Sequence, residues 1–113
     1  MQFRTEHIGD VIVATLTCRE VDAAGAEDLK TDLLAAAKES RKRMILDFSQ
    51  VEFIDSTGLG AIIAVHKGCA DGGRLVLCCI ADTVASVFTL TRLDAFFTIR
   101  PNRDAAMHLF SQE

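Results

Sequence analysis

The stretch Met44-Ile45-Leu46-Asp47-Phe48-Ser49-Gln50-Val51-Glu52-Phe53-Ile54-Asp55-Ser56-Thr57-Gly58-Leu59-Gly60-Ala61-Ile62-Ile63 changes its period part-way along. Met44 to Phe48 is a short run bounded by charged and turn residues, too short for a helix and suited to a buried strand. From Leu59 onward, Leu59, Ile62, Ile63 and His66 recur at three- and four-residue spacing, which predicts a helix whose apolar stripe packs back onto that strand. Asp55, Ser56 and Thr57 then fall at the leading end of the helix.

That position has chemical content. The first turn of a helix leaves backbone N–H groups unpaired and carries a partial positive charge. A Ser or Asp there caps the helix, and a phosphate there is stabilised. Gly58 and Gly60 are poor helix formers, so the backbone either bends tightly or admits something close to it. On spacing alone, a plain capped helix start stands beside any functional reading.

Outward from this stretch the chain alternates. Phe3 to Ile8 and Val11 to Cys18 are β-rich runs joined by Gly9-Asp10, a hairpin turn pair. In the second run Val11, Val13, Thr15 and Thr17 share one face, and Ile12, Ala14, Leu16 and Cys18 the other. Asp22 is placed to cap a helix over 23–39 with Ala26, Leu29, Leu33 and Ala37 as its inner stripe. After the central strand and helix, Asp71-Gly72-Gly73 is a stop, and Leu75 to Ile80 reads as a strand buried on both faces. A helix from Asp82 or Thr83 to about Leu93-Asp94 has Val84, Val87, Phe88 and Thr91 at helical spacing. Phe97 to Ile99 is an edge strand, and Pro101-Asn102 introduce a last helix with Ala106, Leu109 and Phe110 inward. The order predicts an α/β architecture: a mixed sheet of four to five strands, hairpin first and parallel strands after, with about four helices. The expected organisation is one domain over 1–113, a length that buries about two thirds of the unfolded surface.

Composition narrows the function. Net charge is −4, which gives no electrostatic footprint for nucleic acid. The longest apolar run is far short of a membrane span, and the opening Met1-Gln2-Phe3-Arg4 has neither a signal core nor an Arg-rich presequence, so a cytoplasmic protein is expected. The four cysteines, Cys18, Cys69, Cys78 and Cys79, lack the paired spacing of a metal site and read as reduced core thiols. On a continuous strand Cys78 and Cys79 would point to opposite faces.

Catalysis has little visible support. A serine nucleophile needs a base within hydrogen-bond reach. His66 is ten residues beyond Ser56, roughly 15 Å along a helix, and no spacing brings His7 or His108 to it. Asp55-Ser56-Thr57-Gly58 carries one residue more than an aspartic-protease triplet, and Gly60 is followed by Ala61 where a phosphate-binding loop needs Lys. The expectation is no enzyme, no cofactor and no metal, and no residue pattern argues for a bound nucleotide.

Asp55-Ser56-Thr57-Gly58-Leu59-Gly60, preceded by Phe53-Ile54, resembles the phosphorylation loop of anti-sigma factor antagonists, the small stand-alone members of the STAS family. The opening hairpin, Asp22 before a helix, the Leu46-Asp47-Phe48 strand and the Gly72-Gly73-Arg74-Leu75 turn follow the family order over nearly the whole chain. The resemblance implies the STAS fold and a non-enzymatic regulator of transcription. In that family an anti-sigma factor with Ser/Thr kinase activity binds the unmodified antagonist, which frees a sigma factor. Phosphorylation ends the complex and a phosphatase restores it. Carried over, Ser56 is the phosphoacceptor, with Thr57 second, and Glu20, Asp22, Asp55, Ser56, Thr57, Gly58, Leu59 and Gly60 form the partner surface. Asp22 reads equally as a simple helix cap. Arg19 stands where the family often has glycine. The alternative is a STAS regulatory subunit of a transporter or sensory complex.

Overall fold

The structure, a computed structural model, describes residues 2–111. The elements in order are β1 (Phe3–Ile8), β2 (Val11–Leu16), β3 (Glu20–Val21), α1 (Ala26–Lys38), β4 (Arg43–Asp47), β5 (Phe53–Ile54), α2 (Ser56–Ala70), β6 (Arg74–Cys78), α3 (Asp82–Leu90), β7 (Thr98–Arg100) and α4 (Arg103–Ser111). Five strands form one sheet in the order β1-β2-β4-β6-β7, with β1 and β2 antiparallel and every later pairing parallel. The mixed sheet with four helices is the architecture the sequence predicts. No helix among the described residues is long and apolar enough to cross a membrane.

Period-two alternation builds two cores from the same strands. Ile12, Ala14, Leu16, Met44, Leu46, Leu75 and Leu77 face α1 and α2, whose Leu29, Leu33, Ile62 and Val65 are buried against them. Val11, Val13, Ile45, Val76 and Cys78 face the other way, onto Ala106 and Phe110 of α4. The register places Ile12 beside Met44 and Ala14 beside Leu46, so a one-residue slip would exchange the two cores.

Three expectations are corrected. The first helix begins at Ala26 rather than 23, because Asp22 folds its own turn: its Oδ1 accepts from the Ala24 N–H at 3.2 Å and its carbonyl from the Ala26 N–H at 2.9 Å. Gly25 occupies the cap position, so Asp22 is not the helix cap. The third helix ends at Leu90, where Arg92 enters the left-handed region at φ 61° and Leu93 N–H returns to the Phe88 carbonyl at 2.8 Å, a Schellman-type stop. Cys79 lies beyond the end of β6 at φ 61°, so it and Cys78 do not project to opposite faces. Pro101-Asn102 do introduce α4, with Asn102 Oδ1 accepting from the Ala105 N–H at 2.8 Å.

A partly buried polar cluster fastens α4 to the sheet. The Arg103 guanidinium donates through Nε to Asp47 Oδ2 at 2.6 Å, through Nη1 to Glu6 at 2.8 Å and through Nη2 to the Thr15 hydroxyl. The Ser49 N–H donates to Asp47 Oδ1 at 2.8 Å. Burial opposes ionisation of Asp47, but the hydrogen bonds from Arg103 and Ser49 outweigh it and hold the carboxyl below its ordinary range.

Candidate functional site

Two very short strands prepare the site. Glu20 pairs with Phe53 and Val21 with Ile54 in a separate two-stranded parallel sheet, so the segment leading into α1 lies beside the segment leading into α2. Backbone bonds extend the clasp: Glu52 N–H to the Arg19 carbonyl at 2.7 Å, and Asp55 N–H to the Val21 carbonyl at 3.2 Å. Arg19 and Glu52 add an exposed two-pronged ion pair at 2.9 and 3.0 Å, and the guanidinium lowers the Glu52 carboxyl pKa. Arg19 takes no left-handed backbone conformation, so its bend needs no glycine.

Asp55 links the two helix approaches. As N-cap of α2, its Oδ1 accepts from the Gly58 N–H at 2.7 Å, while Oδ2 accepts from the Ala23 N–H at 3.1 Å. Ser56 and Thr57, the first two helical residues, are exposed as a result. Among the described residues the Ser56 hydroxyl has no hydrogen-bond partner. It stands in solvent at the positive end of a fifteen-residue helix.

Gly58 and Gly60 have different roles. A Cβ on Gly58 would sit 2.0 Å from the Val21 carbonyl oxygen, whereas one on Gly60 would meet nothing within 4 Å. Gly58 therefore serves internal packing of α2 against β3 and is buried, and Leu59 is likewise turned into the core. Neither offers a side chain to a partner. Gly60 is exposed and lines a shallow groove between α1 and α2 with Thr57, Ala23, Ala61 and Ala64. Glu20 is exposed and Asp22 half-buried on the same approach.

Sequence reasoning passes over Phe53 as a surface group. Its side chain is 50% exposed, next to the Arg19–Glu52 pair and three residues before Ser56. The readable signal was a phenylalanine alternating with buried Ile54. The histidines lie in other surroundings: His7 beside Glu39, His66 against the rings of Phe96 and Phe97, and His108 in the last turn of α4. Among the described residues no side-chain base is bonded to the Ser56 hydroxyl, so the nucleophile–base pair of covalent catalysis is not assembled around it.

Known proteins resemble this chain in sequence and fold. The STAS domain model matches residues 2–106. The Bordetella bronchiseptica protein named "Putative anti-sigma factor antagonist BtrV" is 30% identical over 111 residues, covering 97% of this chain and 95% of that one. A Thermotoga maritima crystal structure, of tm1081, described there as "a putative anti-sigma factor antagonist", superposes with a TM-score of 0.83 at 27% identity, over 94% of this chain and 92% of that one. The anti-sigma factor antagonist SpoIIAA in its unphosphorylated form shares the fold with a TM-score of 0.76 at 22% identity, over 96% of both chains. Its phosphorylated form, that of a Bacillus cell fate determinant, gives 0.67 at 22% identity over 95% of this chain and 98% of that one. With the domain model matched over residues 2–106 and a relative 30% identical over nearly its whole length, this chain belongs to the STAS domain family.

Proposed function

We propose that the chain is an anti-sigma factor antagonist that binds an anti-sigma factor of the Ser/Thr kinase type while Ser56 is unmodified, thereby releasing a sigma factor, and that phosphorylation of Ser56 switches it off. The observation that carries this reading is the exposed, unengaged Ser56 hydroxyl at the start of α2. The existence of SpoIIAA in both unphosphorylated and phosphorylated forms supports it by analogy. The protein acts as a cytoplasmic, non-enzymatic partner exchanger built on one domain, and a Ser/Thr phosphatase resets it.

The contact surface comprises Glu20, Phe53, Ser56, Thr57 and Gly60, with Asp22 at its edge. Asp55, Gly58 and Leu59 hold that surface in place from behind. Phe53 supplies the aromatic anchor that interface cores favour, and Gly60 leaves the backbone open to close approach.

Electrostatics suffice for the switch. A phosphoserine carries nearly two negative charges. Facing one partner carboxylate at about 6 Å in an effective dielectric near 20, it costs on the order of 5 kcal/mol before salt screening. A thousandfold loss of affinity needs only about 4 kcal/mol. The helix start tolerates the same charge internally, so release needs no refolding.

Incubation with the anti-sigma kinase and ATP, followed by mass spectrometry, places the phosphate on Ser56. Ser56→Ala accepts none and keeps binding the kinase, while Ser56→Asp, with one charge where the phosphate has nearly two, loses about half that energy and binds about a hundredfold more weakly. Undiminished labelling of Ser56→Ala moves the acceptor to Thr57 or elsewhere. Tight binding by Ser56→Asp removes the charge mechanism.

A further inference from the structure

Three metal-ligating side chains converge where β4 and β6 end. Asp47 and Cys78 are direct partners in the parallel β4–β6 register. Cys79 follows in a left-handed conformation that swings its thiol to the same side. The Asp47 carboxylate and both sulfurs lie within 4.8 Å of one another. Asp47 and Cys78 are buried, and Cys79 is partly open, which gives an approach from solvent.

We propose that Asp47, Cys78 and Cys79 bind a thiophilic divalent cation of the Zn²⁺ class. Two thiolates and a carboxylate carry three negative charges, and the Arg103 guanidinium on Asp47 Oδ2, shared with the exposed Glu6, offsets part of them. A divalent ion removes most of the remaining charge, which a buried site requires. Sulfur donors select a soft or borderline ion over Mg²⁺ or Ca²⁺. Two Zn–S bonds of about 2.3 Å at a tetrahedral angle hold the sulfurs about 3.8 Å apart, within the span available here. A direct disulfide is the poorer outcome, because neighbouring Cα atoms about 3.8 Å apart are closer than the usual bridged pair.

The outer shell is also in place. Asp47 Oδ1 accepts from the Ser49 N–H and Oδ2 from Arg103, bonds that fix the orientation of the carboxylate. Three protein ligands leave the fourth tetrahedral position to water. Uptake converts two thiols to two metal–thiolate bonds and expels two protons. Because protons are released, binding tightens as pH rises.

The test is titration of the reduced, metal-free full chain with Zn²⁺, and with Co²⁺ as its spectroscopic substitute. The expected result is one equivalent per chain, release of two protons per ion, and thiolate-to-Co²⁺ charge-transfer absorption. Cys79→Ser, on a half-open position after the strand, weakens binding by at least about 100-fold, the upper end of what losing an outer-shell partner costs. Cys18→Ser binds as the parent does. Absence of the charge-transfer band in the parent overturns the proposal, as does unchanged Co²⁺ binding by Cys79→Ser. Cys79→Ala, compared by circular dichroism, separates loss of a ligand from loss of fold.

Discussion

At Gly58 a single methyl group decides whether the loop closes. The Cβ of alanine would overlap the Val21 carbonyl, a backbone atom that also accepts from the Asp55 N–H and has no rotamer by which to escape. Gly58→Ala is expected to destabilise the chain by about 1–3 kcal/mol. Gly60→Ala, two residues on in open space, stabilises it by about 0.5–1 kcal/mol, because alanine loses less backbone freedom in a helix. Urea unfolding of the two variants should shift in opposite directions; a shared direction would contradict the packing role given to Gly58. Asp55→Ala removes the cap on Gly58 and the tie to Ala23 together and costs about 1–2 kcal/mol in the same measurement. The sequence shows a capping residue and two glycines at a helix start, but not that one glycine faces inward and the other outward. That depends on β3, which is remote in the chain.

At the level of elements, long periodic segments are readable and short ones are not. The strand faces of β2 and the inner stripe Ala26, Leu29, Leu33 and Ala37 of α1 follow from period alone, because each repeats often enough to be distinctive. The pair β3 and β5 has two residues per strand, too few to show alternation, and it joins segments more than thirty residues apart in the chain, as the Arg19–Glu52 bond does. Likewise Arg103 reads as an ordinary charge in the first turn of α4, yet it is the side chain that joins α4 to the ends of β2 and β4. Arg103→Met is expected to cost about 2–3 kcal/mol by leaving Asp47 buried without its cation. The cost falls below that of a fully enclosed pair because Arg103 keeps about a third of its side chain in water. Hydrogen exchange should quicken in α4 more than in α1. Equal acceleration in both helices would show that Arg103 supports the whole domain and not this one docking.

Over the whole molecule, buried and half-buried ionisable groups set a stability plateau with a limb on each side. His66 packs against Phe96 and Phe97 with Nδ1 buried and unpartnered, and burial depresses its pKa. As pH falls below about 6.5 the unfolded chain takes up this proton first, so stability is complete above that value and is lost toward the lower folded pKa. Asp47, also depressed in the folded state, adds a second acid limb: its contribution is complete above about 3.9 and disappears as pH falls through the folded value. Cys69 works from the other side, together with Cys18 and Cys78, whose thiols burial also raises. Burial pushes the Cys69 thiol up to about 11, so above about 8.5 the unfolded chain ionises first and stability falls as pH rises toward the folded value. Urea midpoints measured at constant ionic strength should therefore be flat from about pH 6.5 to 8.5 and decline on both sides. His66→Leu, which fills the same aromatic contact without a titratable group, flattens the decline between about pH 6.5 and 5 while leaving the alkaline limb in place. Persistence of that acid limb in His66→Leu would assign it to another group and separate the aromatic cluster from the pH response.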